Sequence, residues 1–84
     1  MKVVKVLESI EMISATTGKP QQRRVAIRQR EDGYFSFSEQ YFYTSEYEGE
    51  IIAQGWQQLP PEGIFASAEI AEAEGRSILL QRHA

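Results

Sequence analysis

Hydrophobic and polar positions alternate most clearly between residues 23 and 43. "RRVAIRQ" (23–29) and "YFSFSEQYFY" (34–43) each repeat with a period of two, and "REDGY" lies between them. Such alternation marks half-buried strands, and Asp-Gly between two strands marks a hairpin. The side chains choose the loop length. A two-residue loop pairs Arg30 with Phe35 and Arg28 with Phe37, mixing charge and apolar bulk on one face. A three-residue loop, Glu31–Gly33, pairs Gln29 with Phe35 and Ile27 with Phe37. Val25, Ile27, Phe35 and Phe37 then share one face, and Arg24, Arg28, Arg30, Tyr34, Ser36 and Ser38 the other. The sorted register is expected, because a one-residue slip moves every side chain to the wrong face. Gly33 supplies the positive φ of the bulged turn.

The flanking segments read less uniquely. Val4, Val6, Ile10 and Met12 fit a strand over about residues 4–14 with Glu8 as a misfit, while Val3, Val6, Leu7, Ile10 and Ile13 fit a helical stripe. "TTGKP" then marks a turn. Between residues 45 and 58, Ser45 and Glu48 have capping-box spacing, yet "EIIAQGWQQL" suits a strand at 50–58, with Gly55 at a bulge or close approach. "LPPEG" ends it in a turn. The last segment is a helix over about 68–82. Ser67 suits its N-cap, glutamates lie early and Arg76, Arg82 and His83 late. Its stripe of Ala68, Ala71, Gly75, Ile78 and Leu79 has a glycine in mid-helix, where it costs about 1 kcal/mol; close approach to the sheet would explain it. The expected fold is α+β: an antiparallel three- to four-stranded β-meander with one C-terminal α-helix packed on one face. The layout is similar to that of many small bacterial proteins, and no functional residue is carried over from that similarity.

Composition narrows the chemistry. The chain of 84 residues suits one small domain with a thin core, for which oligomerisation is a common supplement. It has no cysteine and one histidine, His83, so no thiolate or histidine-rich metal site is expected. His83, beside the C-terminus, is expected to be solvated. "TTGKP" lacks the remaining glycine and the Ser/Thr of a phosphate-binding loop. Glu46, Glu48 and Glu50 read as a solvated acidic loop. The expectation is therefore no enzyme, no cofactor and no metal. A net charge of −3 argues against broad nucleic-acid binding. The N-terminal apolar run is short and interrupted by Lys5 and Glu8, so no leader or membrane span is expected and the cytoplasm is the default.

Two surfaces remain as candidates. Arg24, Arg28 and Arg30 form a basic ladder on the polar face of the hairpin. Nine aromatic residues are present, seven of them between 33 and 47. After the core takes Phe35, Phe37, Tyr41 and Tyr43, and with Phe65 lying apart in the sequence, Tyr34, Phe42, Tyr47 and Trp56 are the candidates for an interaction surface. These features favour a small non-enzymatic interaction or accessory protein acting as a homodimer. A nucleic-acid-binding module using the arginine face is one alternative. A small-molecule or sugar site lined by Tyr41, Tyr43, Tyr47 and Trp56 is the other.

Overall fold

The computed structural model describes residues 2–14 and 18–83. Six strands and one helix follow each other along the chain: β1 (Lys2–Val6), β2 (Ile10–Ile13), β3 (Pro20–Gln29), β4 (Phe35–Tyr47), β5 (Glu50–Gln58), β6 (Glu62–Phe65) and α1 (Ala68–His83). All ladders are antiparallel. β1 and β2 both pair with β3, β3 with β4, and β5 and β6 both with β4. The α+β class is as expected, but the strand count is six rather than three to four.

The two extra strands arise from breaks in the outer strands. Leu7 leaves the ladder, turns its side chain into the core and donates its N–H to the Val25 carbonyl. That step divides the expected strand at 4–14 into β1 and β2, and it explains the misfit at Glu8. On the other side Pro60 and Pro61 lack the N–H that a ladder needs. β5 therefore stops at Gln58, and Glu62–Phe65, whose first two residues close the turn expected at "LPPEG", forms β6. Extended backbone through both segments excludes the helical alternatives. Part of the turn at "TTGKP" falls on residues 15–17, outside the described residues. Its close is marked by hydrogen bonds from Ser14 N to Lys19 O and from Gly18 N to Ser14 O.

The central hairpin has the sorted register: Gln29 faces Phe35 and Ile27 faces Phe37. Arg30 N–H donates to Tyr34 O, and Gly33 has φ 86°. β4 runs on to Tyr47 and returns through Glu48 (φ 52°) and Gly49 (φ 83°). Two consecutive positive φ values give the type I′ turn that matches strand twist, so Ser45 and Glu48 cap no helix. The bulge on β5 falls at Ile52, between the pairs Ser45–Ala53 and Glu46–Ile51, and not at Gly55.

Ser67 caps α1 through its Oγ, which accepts from Ile70 N–H at 3.2 Å. Ala71, Gly75 and Leu79 are buried against Val25, Ile27, Phe37 and Leu7. Phe65 of β6 stacks on Phe37 with centroids 6.0 Å apart. This small core lies between α1 and one face of the sheet. Among the described residues no helix lies over the opposite face.

Candidate functional site: the uncovered sheet face

Side chains alternate across a strand, so the register decides which residues share the uncovered face. β3 contributes Arg24, Ala26 and Arg28. β4 contributes Ser36, Ser38, Gln40 and Phe42, and β5 contributes Trp56 and Gln58. The cross-strand pairs are Arg24–Gln40, Ala26–Ser38 and Arg28–Ser36 on one ladder, and Gln40–Gln58 and Phe42–Trp56 on the next.

Ala26, Ser36 and Ser38 are buried although no element covers them. Four long side chains roof them over. Arg24 Nε donates to Gln40 Oε1 at 2.7 Å, Gln40 Nε2 donates to Gln58 Oε1 at 3.3 Å, and Arg28 Nη1 donates to the same Gln58 oxygen. Both amide oxygens are thus occupied as acceptors, while both guanidiniums keep spare N–H donors. The Arg28 Nε and the Ser38 Oγ are buried beneath this roof without a protein partner. The Arg24 guanidinium lies over the Trp56 indole, with Cζ 4.0 Å from the ring centroid. Trp56 in turn meets Phe42 edge-on, at 5.4 Å and 76°. Phe42 is therefore partly covered by its own cross-strand neighbour.

Charge is sorted between the two faces. On the helix side, Arg76 pairs with Glu8 at 2.8 Å and Glu72 at 2.7 Å, Lys5 with Glu72 at 3.1 Å, and Arg82 with Glu62. The hydrogen bond from Arg76 holds the Glu8 carboxyl down at about 2. Lys5 lowers Glu72 and Arg82 lowers Glu62 in the same way. Arg24 and Arg28, in contrast, have no carboxylate partner among the described residues. Their hydrogen-bond partners are the two glutamine amides. Glu11, opposite Gln22, and Glu46, near the β4–β5 turn, lie only at the rim of this face.

The sequence-derived sets divide accordingly. Of the basic ladder, Arg24 and Arg28 belong to one network, while Arg30 turns to Asp32 and lowers its carboxyl pKa. Of the aromatic set, only Phe42 and Trp56 meet. Tyr34 and Tyr47 are exposed near opposite ends of β4, on the order of 40 Å apart along the strand. The aromatic small-molecule site does not assemble either: Tyr41 and Tyr43 face the helix side, with Tyr41 under Arg23, while Trp56 faces away.

Glu39, which sequence reasoning passed over, and His83, which it placed in solvent, meet on the helix side. Glu39, with a side chain only 3% exposed, accepts from Arg23 and lies 3.6 Å from Arg82. His83, expected to be solvated, is instead 13% exposed, with Nε2 3.2 Å from the same carboxylate. The signal was a glutamate in the inward register between Phe37 and Tyr41, which requires a cation beside it. This cluster ties the end of α1 to the sheet.

Beyond Arg23 and Tyr41 the β3–β4 ladder ends, and a groove of about 670 Å³ opens between the start of β3 and Phe42–Thr44. Among the described residues no group of three or more His, Cys, Asp or Glu side chains is placed to hold a metal ion, and no helix is long and apolar enough to cross a membrane. Comparison of the chain with protein-family models, with curated proteins and with solved structures finds no match.

Proposed function

We propose that the protein is a small non-enzymatic interaction protein that acts as a homodimer and works through its uncovered sheet face. The observation that carries this reading is the sorting of charge. Carboxylates neutralise the cations of the helix side, while Arg24 and Arg28 hold donors toward solvent with only amides beside them. A donor-rich face of this kind suits an acidic, extended segment of a partner protein.

One observation favours a second reading, single-stranded nucleic acid. Arginine on an indole beside an exposed sheet is a platform on which phosphates pair and bases stack. The net charge of −3 opposes long-range attraction to polyanions, but Arg24 and Arg28 have no carboxylate partner among the described residues.

Titration of the protein with poly-glutamate and with a single-stranded oligonucleotide, at low and moderate salt, tests both readings. Trp56, the single tryptophan, reports binding by fluorescence. Binding that weakens with salt and is lost in R24A/R28A but retained in R30A supports the face, and the preferred probe decides the partner class. Binding unchanged in R24A/R28A, or no binding to either probe, overturns it.

A further inference from the structure

We propose that the outer edge of β5 pairs antiparallel with β5 of a second copy of the chain, about a two-fold axis, so that two sheets become one. This rests on the homodimer reading above and locates its interface.

The two edges of the sheet are built differently. The β1–β2 edge carries the devices that keep strands from pairing with strangers. It is broken at Leu7–Ser9, bulged between Val3 and Lys5, and carries Lys2 and Lys5. β5 is nine residues long, pairs only with β4 and contains no lysine, arginine or proline. Its one irregularity, at Ile52, lies near the turn, and the ladder from Ala53 to Gln58 is regular.

The β4–β5 hairpin also projects past the helix. Every residue from Thr44 to Gln54 is exposed, including Tyr47 (66%), Ile51 (58%) and Ile52 (66%). A two-stranded ribbon alone in water is marginal at best, and a third strand stabilises it. Pairing with a second β5 supplies that strand and covers apolar side chains at the same time.

Charge selects a second copy as the occupant. Antiparallel pairing centred on Gln54 and carried past the Ile52 bulge sets Ile51 of one chain against Trp56 of the other and Glu50 against Gln57, next to Gln58. Gln58 is the residue whose oxygen holds the Arg28 guanidinium. The turn that carries Glu46 and Glu48 thus lies toward the end of the partner where Arg28 meets Gln58, twice over by symmetry. The contact closes on itself, because both copies use the same edge and the opposite edges are blocked. The two uncovered faces then lie on the same side of one continuous sheet.

The absence of cysteine from the chain makes a clean test. Q54C, placed next to the axis, is expected to form a disulfide-linked dimer on mild oxidation. L80C, on an exposed helix position, is expected to remain unlinked. A53K sets like charges across the new ladder and is expected to weaken the dimer roughly tenfold or more, with an unchanged circular dichroism spectrum. Light scattering of the wild type is expected to give about 19 kDa, twice the 9.6 kDa of one chain. A wild-type mass of one chain at tens of micromolar overturns both the edge contact and the homodimer reading. A dimer that survives A53K, or links through L80C in place of Q54C, overturns the edge contact and leaves the homodimer standing.

Discussion

Replacing Gly75 by alanine reverses the usual effect of removing a helix glycine. In an exposed helix interior the change is stabilising by about 1 kcal/mol. Here a Cβ at residue 75 would stand 2.8 Å from Val25 Cγ1 and 3.3 Å from Phe37 Cγ. Ordinary contact begins at 3.4 Å, so the first approach is short by 0.6 Å (3.4 − 2.8). Val25 and Phe37 are each 1% exposed, and neither has room to swing away. Overpacking of a filled core costs about 1–3 kcal/mol. Set against the propensity gain, G75A is left destabilised by about 1 kcal/mol, which in a domain of this size lowers Tm by about 4–8 °C. Urea unfolding at fixed protein concentration measures it as a lower midpoint with unchanged slope. V25A removes the obstructing methyl, so in that background G75A is expected to lose most of its penalty. A G75A variant stabilised by about 1 kcal/mol in the wild-type background would refute the close helix–sheet contact.

Further outcomes follow from the same structure. E39A leaves Arg23 without its carboxylate on the helix side and is expected to destabilise by about 3 kcal/mol, with E39Q milder, in urea titrations. The Glu8 pKa is lowered from 4.5 to about 2. Its pair with Arg76 therefore contributes above pH 4.5 and is lost as pH falls toward 2; E8Q is expected to reduce the acid-side decline of the urea midpoint across that window. G49A strains the positive φ of the β4–β5 turn and is expected to speed amide exchange through residues 44–54 more than elsewhere.

The parts of the fold written in local pattern were legible in the sequence. Alternation fixed the β3–β4 register, because only one loop length separated Val25, Ile27, Phe35 and Phe37 from the arginines. Ser67 and the small-residue stripe located α1, and Gly75 correctly signalled close approach. The breaks were not legible. Leu7 leaves its strand to fill space beneath the helix, which is a tertiary demand, and β6 forms because β4 still offers an edge after the two prolines. Long-range contacts likewise decided the site. Sequence grouped Arg24, Arg28 and Arg30 by spacing, but Asp32 captures Arg30, and only the β4–β5 register shows that Gln40 and Gln58 link the other two. Sequence left Phe42 on a candidate interaction surface without showing what lies against it. The answer, Trp56, required knowing that residues 50–58 return beside 40–47.

The claim that the uncovered face does the protein's work is tested most directly by nitrogen-15 shift mapping as a polyanion is added in steps. The single Trp56 indole N–H and the Arg24 and Arg28 Nε–H signals are predicted to move together, along with amides of Ala26, Ser38, Gln40 and Gln58, while those of Ala71 to Leu79 stay in place. Shifts concentrated on α1, or none at Trp56 and the two arginines while binding proceeds, would contradict it.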